Sequence, residues 1–125
     1  MGKYEKPTVL LNEELSEGVY TDSGCFTTSV NIHQSPQSGR GDYRIQINAT
    51  HSADHTCSWQ EVTVYFNQDV EYVSAPGNFV AAGTNYVVFR RENHCNGHDN
   101  IGFGDLVVTS DQGLKVDRVV VRDAG

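Results

Sequence analysis

Two short windows concentrate the chemistry of this chain: His51-Ser-Ala-Asp-His55-Thr-Cys57 and His94-Cys95-Asn-Gly-His98. Together they hold four of its five histidines and two of its three cysteines. Imidazole nitrogen and thiolate sulfur bind borderline metal ions such as zinc, and cysteine pairs also oxidise to disulfides. If the fold brings the windows together, His51, His55, His94 and His98 offer a metal site, while Cys57 and Cys95 offer a covalent staple. The odd cysteine count fits one disulfide with a free thiol, or no disulfide, and Cys25 can replace either partner. A small metal enzyme built on these histidines is a further use, although no general base stands at a telling spacing.

Other polar groups read more weakly. Asn96, Asp99, Asn100 and Asp105 lie close together and carry the oxygen ligands that suit calcium, but without EF-hand spacing. Asp and Asn beside Gly are also ordinary turn formers. Arg40-Gly41-Asp42 has the form of an integrin-recognition tripeptide in an exposed loop over 35–42, and the same residues read as a turn between strands. Asn48-Ala49-Thr50 matches the N-glycosylation pattern. The chain has no Gly-x-Ser-x-Gly, no His-Glu-x-x-His and no phosphate loop, so no catalytic constellation emerges.

The elements that must position these groups are strands. From Gly18 onward, short runs rich in Val, Ile, Tyr, Phe and Thr alternate with Gly, Pro, Asn and Asp turns about every ten residues. The pattern predicts strands over 25–33, 43–49, 59–66, 70–74, 79–81, 85–91, 105–110 and 115–122, with both His/Cys windows in the loops between them. No helical period is sustained. The expected fold is all-β, an antiparallel two-sheet sandwich of the immunoglobulin-like or jelly-roll-like kind. Residues 1–17 read as a linker end or N-terminal extension, with an extended piece at Thr8–Leu11 and a helical turn at Glu13–Leu15. Residues 18–125 read as a single module.

Alternation assigns faces. Tyr43, Ile45 and Ile47 turn to the core, and Arg44, Gln46 and Asn48 turn outward. Val62, Val64 and Phe66 go inward, leaving Glu61, Thr63 and Tyr65 outside. Val87 and Phe89 go inward, leaving Tyr86 and Arg90. The last strand is ambiguous, because Val119 and Val121 oppose Val116 and Val120. Sugar rings stack their CH faces on aromatics and need polar partners for their hydroxyls. Tyr65, Tyr86 and Arg90, with Glu61, Gln46 and Arg44 nearby, are therefore the candidate ligand-binding surface.

The 125 residues make one domain with its own core. A net charge of -7 without a dense Lys/Arg run disfavours nucleic acid and anionic membrane, and acidic sugars less strongly. No apolar stretch is long enough for a membrane-spanning helix. Neutral polymers, cations and proteins remain as partners.

From Tyr43 to about Gly113 the chain resembles the cellulose-binding β-sandwich modules, especially the bacterial family 2 type. The pattern is carried by Tyr43-Arg-Ile-Gln-Ile-Asn48, Trp59 opening Val62-x-Val64-x-Phe66, Ala82-Gly83-x-x-Tyr86-x-Val88, Cys95-Asn96-Gly97 and Ile101-Gly-Phe-Gly-Asp105. The resemblance implies that Trp59 is a core residue. It also implies that the family's flat row of exposed tryptophans is absent, with Cys95 and Ser74 near two of those positions. The expectation that follows is a non-catalytic carbohydrate-binding module for a neutral plant or microbial polysaccharide, with no required cofactor. It would belong to a larger, secreted or cell-surface polysaccharide-degrading chain acting on the plant cell wall. The alternative is an extracellular adhesion or assembly domain that binds protein, stabilised by calcium or zinc.

Overall fold

The computed structural model describes residues 17–23 and 25–124. The expectations for Thr8–Leu11 and Glu13–Leu15 fall outside the described residues. Among the described residues the regular elements are nine strands: β1 (Glu17–Ser23), β2 (Phe26–Gln34), β3 (Gly41–His51), β4 (Thr56–Phe66), β5 (Glu71–Ser74), β6 (Asn78–Ala82), β7 (Tyr86–Asn96), β8 (Asp99–Ser110) and β9 (Val116–Asp123). They pair into two antiparallel sheets, β1-β2-β3-β8-β5 and β6-β7-β4-β9. The chain is thus the two-sheet sandwich that its alternation predicts.

The inward residues make one core between the sheets. Tyr43, Ile45, Ile47 and Ala49 of β3 and Ile101, Phe103, Leu106 and Val108 of β8 are buried on one side. Val62, Val64 and Phe66 of β4, Val87 and Phe89 of β7, and Val119 and Val121 of β9 are buried on the other. Each Val, Ile, Leu and Phe among them contributes about 1.5–3 kcal/mol by leaving water. The ambiguity of the last strand is settled: Val119 and Val121 are fully buried, and Val116 and Val120 are half-buried. Tyr43 enters the core with its hydroxyl donating to the Asp111 carbonyl at 2.8 Å, so no polar atom is stranded.

Three expectations change. β1 is absent from the predicted strands because Gly18, Asp22 and Ser23 dilute its apolar signal; it joins the edge of the larger sheet through its pairing with β2. The windows are less loop-like than their composition implies. β3 runs to His51, β4 starts at Thr56, and β7 and β8 extend to Asn96 and from Asp99, so only the short links 52–55 and 97–98 are turns. Trp59 is half-buried and outside the core cluster; Gln60 takes the buried position beside it. Cys57 and Gln60 both point inward although three residues apart, because the β4–β7 register shifts between Cys57 and Trp59. That shift turns Trp59 to the side of Glu61 and Tyr65.

A second register shift lies in the β3–β8 ladder. Ile47 pairs with Gly104, but Asn48 pairs with Gly102. Gly104 has φ +97°, a left-handed conformation that disfavours a side chain, and an added Cβ would also come within 3.0 Å of Pro76.

The staple is present. Cys57 and Cys95 are directly opposed across β4 and β7, with Cα atoms 5.2 Å apart, and are joined as a disulfide; Cys25 is a free thiol. Cys95 therefore faces the core and cannot serve as a surface contact. Closing a span of 38 residues is worth about 4 kcal/mol by chain entropy. Thiol titration of the unfolded, unreduced chain should find one reactive thiol, and three after reduction. Reduction should lower the urea midpoint by the equivalent of roughly 4 kcal/mol. Three thiols before reduction would exclude the bond.

Candidate functional site

The six residues expected to form one binding surface are split between opposite sides of the sandwich. Glu61 and Tyr65 of β4, with Tyr86 and Arg90 of β7, share the outer face of the four-stranded sheet, where Glu61 pairs with Arg90 and Tyr65 with Tyr86. Arg44 and Gln46 lie on β3, on the outer face of the five-stranded sheet. Ten ångströms or so of packed core separate two such sheets, so no single ligand touches all six.

On the four-stranded sheet the outward groups satisfy one another. Arg122 of β9 donates to Glu61 Oε1. Arg90 donates to the Ala124 carbonyl at 2.7 Å. The Arg118 guanidinium sits 4.4 Å from the centre of the Tyr65 ring, occupying the π face that a sugar would use. The Tyr65 and Tyr86 rings are 6.1 Å apart and tilted by 44°, so they do not form a flat platform.

The five-stranded sheet differs. Its outer face is hollowed at a concavity of about 440 Å³ around β2, β3 and β8. Ladder register explains the hollow. One row across the sheet is Thr27, Thr50 and Asn100; the next is Ser29, Asn48 and Gly102. These side chains are short, and Gly102 has none. A Cβ at Gly102 would meet nothing nearer than Asn48 Oδ1 at 3.6 Å. The row beyond is longer and charged: Asn31, Gln46 and Asp105 are paired across it, and His33 and Arg44 reach Asp105 at 3.1 and 3.9 Å. The floor of the hollow is neutral, made of hydroxyls and amides that both donate and accept. One hydrogen bond that ties two of its side chains together runs from Thr50 Oγ1 to Asn100 Oδ1 at 3.2 Å. Of the sequence candidates, Gln46 and Arg44 flank this hollow, and the pattern Thr27-x-Ser29-x-Asn31 was the signal for the remainder. The Asn48 sequon lies mid-strand with its asparagine half-buried.

The other sequence candidates are dispersed. His94 pairs with Glu92 at 3.5 Å, and His98 with Asp54 at 2.9 Å. His51 and His55 meet edge to face with ring centres 4.8 Å apart. The four histidines therefore do not form one ligand set. The calcium candidates do not converge either: Asp99 accepts from the Asn100 amide, Asn100 from Thr50, and Asp105 stands six residues further along β8, roughly 20 Å away. Arg40-Gly41-Asp42 is not a displayed loop. Gly41 and Asp42 begin β3, Asp42 accepts from Thr109 at 2.6 Å, and Arg40 is drawn to Glu71 and Asp111 at 3.3 and 3.5 Å.

The fold and this hollow define a small β-sandwich domain with a neutral, concave sheet face. No protein-family model matches the chain, and no curated protein sequence matches it.

Cys25 lies away from the hollow, in the turn between β1 and β2. Burial, and then the Asp123 carboxylate, raise its thiol above the ordinary cysteine range. Less thiolate at a given pH means slower alkylation. In chelator-containing neutral buffer, iodoacetamide should therefore label Cys25 more slowly in the native chain than after unfolding. Equal rates would contradict the shift.

Proposed function

We propose that this domain is a non-catalytic binding module for a neutral polysaccharide, held on the outer face of the five-stranded sheet. The observation that carries the reading is the uncharged concavity over Ser29, Asn48, Thr50, Asn100 and Gly102, where hydroxyls and amides stand beside apolar lining that includes Ala49 and Ile101. Sugar hydroxyls are both donors and acceptors, and Asn, Ser and Thr match them without the cost of burying a charge. The volume falls in the range of small-ligand sites. The resemblance to cellulose-binding sandwiches points the same way, although the surface moves from tyrosines to amides and hydroxyls. A disulfide accords with an oxidising compartment, which favours a secreted or cell-surface module attached to a polysaccharide-degrading enzyme.

Calorimetry against soluble glucans, xylans and mannans tests the reading. Heat with at least one, insensitive to salt, is expected. Gly102→Leu should abolish it without lowering the melting temperature, since the backbone there accepts a side chain. Asn48→Ala should weaken binding about 2- to 10-fold, the worth of one neutral hydrogen bond. Tyr65→Ala should leave it unchanged. No heat with any polymer, or binding indifferent to Gly102→Leu, would reject the site.

A second reading, an assembly domain that binds protein, draws on the edge strands β5 and β6. Val73, Phe79 and Val80 are 48, 48 and 45% exposed there. Unpaired strand edges with apolar side chains are templates for another chain. A pull-down that survives excess sugar and is lost in Val80→Lys would favour this reading over the first.

A further inference from the structure

One end of the sandwich assembles a ligand set that neither window contains by itself. Cys25 stands in the turn before β2, His51 ends β3, His55 lies in the turn before β4, and Asp123 ends β9. One ligand atom from each lies within 4.8 Å of the others. His55 Nε2 and Asp123 Oδ2 are 2.7 Å apart.

His51 shows what the cluster lacks. Its side chain is fully buried. Nδ1 lies 2.5 Å from the Gly97 carbonyl oxygen, so it carries the proton and donates. The other nitrogen, Nε2, is then a bare lone pair, and among the described residues it has no hydrogen-bond partner although it is shut off from water. A buried acceptor without a donor is a standing cost that folded proteins seldom keep. A backbone carbonyl on one ring nitrogen, with the second left free, is the arrangement that orients a histidine toward a metal ion.

We propose that Cys25, His51, His55 and Asp123 bind one zinc ion that closes this end of the sandwich. One sulfur, two nitrogens and one oxygen suit zinc, whereas calcium takes six to eight oxygens. Tetrahedral zinc holds its ligand atoms about 3.3–3.6 Å apart, so atoms near the 4.8 Å bound must draw in while the His55–Asp123 pair, at 2.7 Å, must part. Cys25 and His55 lie in turns, which absorb such a movement. One thiolate and one carboxylate balance the ion's charge, and loading releases the Cys25 proton. The ligands come from both sheets and from the last strand, so the ion ties β9 to the β1–β2 turn. His51 also approaches the sulfurs of Cys57 and Cys95, but as a disulfide those sulfurs are not thiolate ligands.

The test uses the full chain without a histidine tag, stripped with chelator and titrated with zinc and with cobalt(II) as the spectroscopic probe. One equivalent should bind and raise the melting temperature, and cobalt should show tetrahedral d–d bands with a thiolate charge-transfer band. Cys25→Ser should erase that band and weaken zinc more than about 100-fold, beyond the loss typical of outer-shell changes. Asp123→Asn should also weaken it. Asp123 is exposed, and Cys25 is only partly buried and is exchanged for a side chain of nearly the same size, so the metal-free melting temperatures should stay close to that of the parent chain. His94→Ala and His98→Ala should bind as the parent does. Absence of stoichiometric binding would overturn the proposal. So would a cobalt spectrum without the thiolate band, or affinity that survives Cys25→Ser and appears only after the disulfide is reduced.

Discussion

Everything in this domain follows from the burial of one face of each sheet against the other. Ile45, Ile47, Leu106 and Val108 on one side and Val62, Val64, Val87 and Phe89 on the other are sealed from water. Because the side-chain period of a strand is two, fixing those residues inward fixes their neighbours outward. Thr50, Asn48 and Gln46 face solvent because Ala49, Ile47 and Ile45 cannot. The outer faces are thus consequences of the core, and their chemistry can vary without affecting the packing that holds the fold.

The informative places are those where the period breaks. At Gly104 the β3–β8 ladder slips and brings Gly102 opposite Asn48, which empties the middle of an outer face. Between Cys57 and Trp59 the β4–β7 ladder slips and brings Gln60 inward, where its amide donates to Cys57 Sγ at 3.1 Å and to the Asn93 carbonyl at 3.0 Å. His51 is a second polar group enclosed at this end. Buried polar groups cost stability unless they are paired. Their clustering around the disulfide marks this end of the sandwich as built differently from the aliphatic centre.

Charge pairing also sorts the two outer faces. On the four-stranded sheet Glu61, Arg122, Arg118 and Tyr65 are engaged with one another. Exposed pairs of this kind contribute little to stability, but they do occupy the groups that a ligand would need. On the five-stranded sheet the charges of Arg44 and Asp105, with the His33 ring against Asp105, gather beside the hollow and leave its floor neutral.

The sequence by itself determined the fold class, most strand positions and the inward residues of β3, β4 and β7, because alternation is local and survives without knowledge of partners. It also named Cys57 and Cys95 as one of several pairings. It misplaced Trp59, missed β1, and gathered six ligand residues that lie on two faces. β1 was lost to its own weak apolar signal, whereas the other two errors share one cause. Strand pairing across long separations decides which outward residues become neighbours, and a single register shift changes that answer without any trace in local composition. Cys25, His51, His55 and Asp123 span almost the whole described chain. Only the tertiary closure of both sheets brings their ligand atoms together, because no spacing rule links a turn before β2 to the end of β9.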